Sequence, residues 1–313
     1  MTTDRPLLGV LLMLGFCIVA PIGDAVAKLL GASVPLGQLL LVRFAIQAAV
    51  LIPIVILTRR QWKMRGRVLH LTVFRTALHI LGIGMMFSAL KYLPLADAVA
   101  IAFVMPFIML VLGRYVLNEV VGARRLIACI VGFIGTLLVV QPSFAQVGWP
   151  ALLPIGVALN FSVFMLVTRQ IAKDTDPIGL QAVSGIMATV VLLPVIFFAR
   201  NSDIAVLQMI APSSHEIFLL ASIGLLGTAA HLLMTWSLRY APSATLAPMQ
   251  YLEIPFATLL GWLIFADFPN GLAAIGITIT LGAGLYTVLR ERTIARMAAA
   301  VAPQQRPTQL PAE

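Results

Sequence analysis

The stretch Leu90-Lys91-Tyr92-Leu93-Pro94 returns later in the chain as Leu238-Arg239-Tyr240-Ala241-Pro242. In both places it closes one long apolar segment and opens the next. Further residues recur downstream of each copy at nearly the same spacing: Pro106-Phe107 with Pro255-Phe256, Gly113 with Gly261, and Glu119 with Asp267. The sequence therefore predicts two tandem copies of one unit.

The composition places the chain in a membrane. Of its 313 residues, 60% are hydrophobic and only 11% are charged, whereas soluble domains have about 45–50% apolar and about 25% charged residues. The net charge of +9 raises the alternative of nucleic-acid binding. Most basic residues, however, fall in short loops between apolar segments, which is typical of membrane topology and argues against a nucleic-acid partner.

Ten apolar segments are long enough to span a bilayer, which takes about 20 residues of helix. They cover residues 7–30, 36–57, 69–90, 94–115, 124–141, 150–170, 178–199, 216–238, 243–265 and 271–289. The first resembles a cleaved signal peptide, with Arg5 before the apolar run and Ala25-Val26-Ala27 near its end. We expect it to be retained, because the run continues to Leu30 and the second copy has a matching segment.

The basic residues also predict the orientation. With the N-terminus in the cytoplasm, most of the 21 Lys and Arg residues lie on the cytoplasmic side, and only Lys28, Lys91 and Arg200 lie on the other. Both termini are then cytoplasmic. The first repeat covers 1–141 (spans 1–5) and the second covers 150–290 (spans 6–10), while 291–313 is predicted to be a disordered cytoplasmic tail.

Each repeat has an odd number of spans, so the second copy must be inverted relative to the first. The predicted fold is an all-α membrane protein with ten transmembrane helices in two inverted five-helix repeats. This is the architecture of carriers that work by alternating access.

Ionisable residues inside spans are costly and therefore functional by default. Asp24 follows Pro21 and Gly23, where a helix can bend and expose backbone groups, so it is a candidate for substrate binding. Lys28 and Arg43 lie near the same membrane face. For these two, pairing of charges between neighbouring helices is the favoured interpretation.

A second set of ionisable residues lies in the inner half of the bilayer. Arg75 and His79 are four residues apart on span 3, and His231 lies at a similar depth on span 8. An arginine that faces a central cavity can hold a carboxylate, a phosphate or a ring carbonyl. The alternative is that the histidines are hydrogen-bonded packing residues of a helix bundle.

Glu253 lies near the midplane in span 9, close after Gln250 and Tyr251. Pro255, and Pro106 in span 4, each remove a backbone donor and are expected to break their helices. Facing broken helices at the midplane are where carriers bind substrate. We predict that Glu253 binds substrate or a coupling proton, the alternative being a structural partner of a basic residue.

Three further side chains complete the candidate set. Asn160 lies at the same depth as Glu253, and Trp236 and Tyr251 could stack on a planar ligand. The predicted substrate-binding residues are Asp24, Arg75, His79, Asn160, His231, Trp236, Gln250, Tyr251 and Glu253.

The sequence has no glycine-rich phosphate loop and no HExxH, CxxC or G-x-S-x-G motif. We therefore expect no enzymatic activity, no cofactor and no metal site. A membrane-embedded enzyme or a sensor is the alternative class.

The pattern Leu-Lys-Tyr-Leu-Pro, Pro-Phe, Glu119 and Gly122 within two five-span halves resembles the EamA branch of the drug/metabolite transporter superfamily. The resemblance covers about residues 7–290, with Asp267 in place of the usual glutamate in the second half. It implies an inner-membrane carrier that moves a small molecule without ATP hydrolysis. It also implies a central cavity lined by spans 1, 3, 4, 6, 8 and 9.

The segment from Pro21 to Gly31, with Gln38 and Arg43, is similar to bacterial members that take up riboflavin or S-adenosylmethionine. Riboflavin is planar and rich in carbonyls, which suits arginine, amide and aromatic side chains. S-adenosylmethionine has a sulfonium that a carboxylate could balance. Riboflavin uptake is our first expectation, and export of amino acids or amphipathic metabolites is the general alternative for such carriers.

Overall fold

A computed structural model describes residues 5–119, 121–140, 148–199, 204–266 and 271–301. These ranges are helical and contain no strand, which confirms the predicted all-α class. The first half contains α1 (Pro6–Leu30), α2 (Leu36–Leu57), α3 (Gly66–Ala89), α4 (Leu95–Ala102), α5 (Met105–Val116) and α6 (Ala123–Val140).

The second half begins with a 3-10 turn at Trp149–Leu152 and repeats the order of the first. Its helices are α7 (Leu153–Ile171), α8 (Pro177–Ala199), α9 (Ser214–Tyr240), α10 (Ser243–Leu246), α11 (Glu253–Phe265) and α12 (Gly271–Val301), with further 3-10 segments at Ala205–Leu207 and Ala247–Leu252. Seven helices within the described residues are long and apolar enough to cross a membrane, if α4 and α5 are counted together.

Prolines set several helix starts. Pro35, Pro94 and Pro242 lie immediately before α2, α4 and α10, in the extended conformation that proline favours. The repeated motif therefore ends one predicted span and begins the next in both halves. We call the helix, or the run of broken helices, that forms one span a rod. The start of α9 is different, because Ser213 and Glu216 form a reciprocal capping box there.

The rods of spans 4 and 9 are both interrupted, as the sequence predicts. In the first half, α4 ends at Ala102 and α5 starts at Met105, just before Pro106. In the second half the interruption lies earlier than expected, in the 3-10 segment that contains Pro248. Pro255 falls in the first turn of α11, where a missing N–H costs no hydrogen bond.

Contacts between the halves come in equivalent pairs. Helix α1 packs along α9 and α3 packs along α7, so the first and third rods of each half contact one another. Helix α2 packs on α8 and α6 packs on α12, each rod on its own counterpart. The halves therefore form one bundle in which every large contact has a matching contact.

The outside of the bundle is apolar. Large hydrophobic side chains are strongly exposed on the outer helix faces, for example Leu57 at 81% and Phe198 at 82% of their surface. Water would not wet such a surface favourably, whereas lipid chains would. Together with the long apolar helices, this is the surface of a multi-pass membrane protein.

The end of the chain differs from the prediction. Helix α12 continues to Val301, so the segment 291–301, predicted to be disordered, is helical. Alanine, arginine and glutamate are strong helix formers, and they dominate this segment, so the helix continues past the apolar span. The rest of the predicted tail, like Asp267 and Arg200, lies outside the described residues.

Candidate functional site

A cavity lies between the two halves of the bundle. It contains about 800 Å³ of empty space, including its open mouth. Its wall is built by α1, α3, α4, α7, α9 and α11, which belong to the six spans that the family resemblance implies, and additionally by α2 and the first residue of α5.

Most of the wall is apolar, with four phenylalanines around the cavity: Phe16, Phe87, Phe103 and Phe161. Phe16 and Phe161 are stacked, with ring centroids 6.4 Å apart. Such a wall excludes water and offers flat surfaces to a planar ligand.

Four ionisable side chains interrupt the apolar wall, and each comes from a different helix: Asp24, Arg43, His231 and Glu253. Local sequence explains two of the positions. Asp24 follows Pro21, which lies inside α1. Glu253 is the first residue of α11, directly after the 3-10 segment that interrupts the rod. The interruption thus brings Glu253 into the cavity wall, whereas Asp24 lies in a continuous helix close after a proline.

Arg43 is held from two sides. Its Nη2 atom lies 3.1 Å from Nδ1 of His231, and its guanidinium carbon lies 4.9 Å from the centre of the Phe44 ring. A guanidinium can only donate, so this contact requires Nδ1 of His231 to accept and places the imidazole proton on Nε2. The same Nδ1 lies 3.0 Å from the carbonyl oxygen of Gly227, a contact that only the other tautomer could use as a hydrogen bond.

The two carboxyl groups of the wall, Asp24 and Glu253, are not engaged by other described side chains. Among the described residues, neither Asp24 nor Glu253 has a side-chain hydrogen bond or an ion pair within 4.0 Å. Glu253 is 8% exposed. A carboxyl group in such a place can accept a donor from a ligand, balance a ligand's positive charge, or take up a proton.

A layer of aromatic rings packs behind His231, on the side away from the cavity. The ring of His79 lies 4.2 Å from that of His231, 4.9 Å from that of Phe164 and 5.0 Å from that of Phe44. His79 is 1% exposed, and neither of its ring nitrogens has a hydrogen-bond partner in the described part of the chain. It lies outside the cavity wall, directly behind a residue that is part of it.

Arg75 lies beyond this layer and is fully buried. It donates from Nε to Thr168 Oγ1 at 2.8 Å, from Nη1 to Ser184 Oγ at 3.0 Å and from Nη2 to Thr235 Oγ1 at 3.5 Å. Its guanidinium also stacks over Phe164, 4.5 Å from the ring centre. Because these partners belong to α7, α8 and α9, Arg75 ties α3 to three helices of the second half.

Three further candidates lie outside the wall. Asn160 donates from Nδ2 to the Leu78 carbonyl at 2.8 Å. Trp236 packs beside the small cluster around Leu51 and Ile178, separate from the main core. These contacts hold α7 to α3 and α9 to α2 and α8. Gln250 is fully buried and donates from Nε2 towards two methionine sulfurs at 3.3 Å.

Tyr251, next to Gln250, is also fully buried. Its ring packs 5.6 Å from that of Phe103, and its hydroxyl has no partner among the described residues. Both residues lie in the 3-10 segment behind Glu253.

The structure therefore brings three of the nine predicted site residues into the cavity wall: Asp24, His231 and Glu253. The other six lie outside the wall: Arg75, His79, Asn160, Trp236, Gln250 and Tyr251. Sequence reasoning missed Arg43 as a wall residue, because its position near the membrane face favoured a structural pair. The usable signal was its charge inside an apolar span, which is functional by default.

The end of the bundle on the far side of Arg75 is held by Glu119. Its carboxylate accepts from the backbone N–H of Ser243 at 3.1 Å and of Ala244 at 2.9 Å, and from the Ser243 hydroxyl at 2.6 Å. Arg169 lies 3.4 Å from the same carboxylate and donates to the Leu238 carbonyl at 2.6 Å. This cluster, which we call the Glu119 lock, joins the first half to α7 and to the start of α10.

Two matches of one family model cover nearly the whole chain, at residues 7–141 and 148–289. The model describes the EamA-like transporter family. This chain belongs to the EamA-like transporter family. It is a membrane transporter, and the family resemblance derived from the repeated motif is confirmed.

Its relatives include two kinds of transporter. The chain is 30% identical to a riboflavin transporter of Rhizobium johnstonii, over 71% of this chain and 70% of that protein. It is 24% identical to an S-adenosylmethionine uptake transporter of Rickettsia prowazekii, over 88% and 90%. A riboflavin transporter of Vibrio cholerae is 25% identical, over 88% and 91%.

A solved crystal structure of a protein shares the fold. It has a TM-score of 0.69 and 17% identity, and the match covers 90% of this chain and 98% of the other. The EamA-like transporter thus has a fold that also occurs in an experimental structure.

Proposed function

We propose that this EamA-like transporter is a secondary carrier that works by alternating access between two inverted five-span repeats, residues 1–141 and 150–290. The main support for the proposal is the cavity. Residues of both halves line it, and the two interrupted rods lie beside it. Matching contacts between the halves support an inverted two-fold relation. The ten rods would then all span the membrane.

We propose a location in the inner membrane of a bacterial cell, with both termini in the cytoplasm. The basic loops support this orientation. In that orientation the cavity lies in the outer half of the bilayer, while Arg75 and the Glu119 lock close the cytoplasmic half. The described conformation would therefore be open to the outside, which suits uptake.

Riboflavin is the substrate that we propose first. Its flat ring system would fit between phenylalanines, and its carbonyls would accept from Arg43 or His231. The identity to proteins named riboflavin transporters supports this choice. A coupling proton would bind at Glu253, the carboxyl group at the interrupted rod.

S-adenosylmethionine is the second candidate, and the pair of carboxyl groups favours it. Asp24 and Glu253 put two acidic groups in the wall against one guanidinium. That balance suits a ligand with a positive sulfonium and ammonium. Relatives named S-adenosylmethionine uptake transporters match this chain over most of its length.

Uptake by whole cells tests both substrates. Cells that cannot synthesise riboflavin would express the protein and receive labelled riboflavin, and growth on low riboflavin would be scored in parallel. We expect uptake well above that of cells with the empty vector. The same cells would receive labelled S-adenosylmethionine and amino acids, in both the uptake and the efflux direction. Riboflavin accumulation at the vector level would reject riboflavin, and no transport of any of these molecules would reject the substrate assignment altogether.

A further inference from the structure

Arg43 has a donor that its surroundings do not use. The side chain is 2% exposed and lines the cavity. Its Nη2 contacts His231, but Nη1 is buried without a hydrogen-bond partner in the described ranges. A buried charged donor without a hydrogen-bond partner raises the free energy of the folded protein. Such a donor therefore normally has a partner in the functional state.

The space for this guanidinium depends on Gly227. A Cβ atom at position 227 would lie 2.7 Å from Nε and 2.8 Å from Nη2 of Arg43. These distances are below van der Waals contact, so any other residue at 227 would displace the guanidinium. Glycine is also a poor helix former, and alanine would suit the interior of α9 better. The absence of a side chain at 227 therefore leaves space for the Arg43 guanidinium and does not stabilise the helix.

The guanidinium is also oriented, because contacts hold it on two sides. Nδ1 of His231 fixes one nitrogen, and the Phe44 ring lies beneath the plane of the group. Orientation by fixed neighbours is what distinguishes a recognition arginine from a mobile charge. The remaining nitrogen, Nη1, is left for a ligand.

We propose that Arg43 anchors an acceptor oxygen of the transported molecule, a carboxylate or a ring carbonyl, through Nη1, with His231 and Gly227 positioning the guanidinium. This inference rests on the proposed transport function. Asp24 and Glu253 in the same wall would receive the donor or cationic part of the molecule. The site thus takes ligands that carry an acceptor and a donor or cation within a few ångströms, such as the uracil-like edge of a flavin or the amino-acid end of S-adenosylmethionine.

Binding to the purified full-length protein tests the proposal. The probes are riboflavin, S-adenosylmethionine and acetate, the last as a bare carboxylate at constant ionic strength. The readouts are the dissociation constant and the shift of the thermal unfolding midpoint. The variants are Arg43→Gln, which removes the donor, and Gly227→Ala, which only displaces it. Because the displaced group is the end of a flexible side chain, we expect Gly227→Ala to fold.

Matched controls use positions outside the cavity. In Gly84→Ala the new methyl group would meet Leu40 at an ordinary 3.6 Å. Arg67→Gln removes an exposed arginine that bonds only to Gln170 among the contacts described. Both controls should bind the probes as the wild type does.

We expect Arg43→Gln and Gly227→Ala to weaken binding of each probe that the wild type binds by about tenfold to a hundredfold, the effect of a lost charge-assisted hydrogen bond. Unchanged dissociation constants in both variants would overturn the proposal, and so would a wild type that binds none of the three probes. Acetate binding that depends on Arg43, with no binding of the two larger probes, would leave this site intact and reject the proposed substrates.

Discussion

At the scale of single residues, the protein separates its buried charges into two classes. Arg75 has a partner for each of its guanidinium nitrogens, all of them hydroxyl groups. Arg43, Asp24 and Glu253 line the cavity and have donor or acceptor atoms left over. Arg75 therefore holds helices together, and we propose that the other three charges bind the ligand.

Glu253→Gln tests the role of the central carboxyl group. The change keeps the shape of the side chain and removes its ability to exchange a proton or balance a cation. We expect loss of transport, or loss of its dependence on pH, while the protein still inserts and folds. Initial uptake rates across a pH series would be measured, with Asp174→Asn, an exposed carboxylate, as the control. A wild-type rate with a wild-type pH profile would remove Glu253 from the mechanism.

Arg75→Ala tests the structural arginine. It removes three hydrogen bonds from a charged donor, each worth about 1.5–3 kcal/mol, and leaves a cavity. Thr168 and Thr235 keep donating to their own helix carbonyls, which limits the cost. We expect a fall of roughly 3–5 kcal/mol in unfolding free energy, on the scale of breaking a buried charged network. Thermal unfolding in detergent would measure it, and Arg67→Ala, at an exposed site, should stay within about 0.5 kcal/mol of wild type.

At the scale of elements, the interrupted rods determine where the site can be. Each interruption frees backbone groups and lets a helix begin in the middle of the bundle, as α5 and α11 do. The Glu119 lock uses the same principle at the end of the bundle, because its carboxylate receives the free N–H groups at the start of α10. Helix ends therefore lie both at the proposed site and at the proposed cytoplasmic closure.

Glu119→Gln should weaken that closure. An amide offers one acceptor where the carboxylate offered two, so the N–H of Ser243 or of Ala244 loses its partner, at a cost of about 1–3 kcal/mol. We expect the population to shift by about tenfold towards a state open at this end. A cysteine at the buried Met165, which lies on α7 between Phe161 of the cavity wall and Arg169 of the lock, would be reacted with a thiol reagent from the cytoplasmic side to report it, in protein lacking Cys17 and Cys129. Labelling that does not increase would show that Glu119 does not control closure.

At the scale of the whole molecule, the largest helix contacts join the two halves, and residues of both halves line the cavity. The rods α1, α2, α3 and α4 supply one side of the cavity wall, and α7, α9 and α11 supply the other. A relative movement of the halves would change which end of the cavity is open without disturbing the packing inside each half.

Accessibility of cysteines from the two membrane faces tests orientation and state together. In protein lacking Cys17 and Cys129, Val157→Cys lies in the cavity wall and Lys173→Cys is exposed at the predicted cytoplasmic end. We expect an impermeant thiol reagent to label position 157 from outside and position 173 only from inside. External labelling of position 173 would reverse the topology, and protection of position 157 from outside would mean that the cavity is closed there.

Apolar segments, the duplicated motif and the prolines were enough to predict the helical membrane fold and that spans 4 and 9 are interrupted, although the second interruption lies at Pro248 and not at Pro255. Each depends on residues close together in the chain: composition decides whether a segment can enter lipid, and proline acts on its own turn. The rise per residue predicted Asp24 towards the outer face, His231 in the inner half and Glu253 near the midplane. All three nevertheless line one cavity, which this depth estimate did not predict.

Only the tertiary structure decided which of those charges share a cavity. That outcome depends on how each helix is rotated and which neighbour it meets, and these follow from packing between residues far apart in the sequence. Arg75 and Arg43 have the same charge in similar apolar surroundings. One donates to three hydroxyl groups, whereas the other lines a cavity beside a glycine and keeps Nη1 without a partner among the described residues.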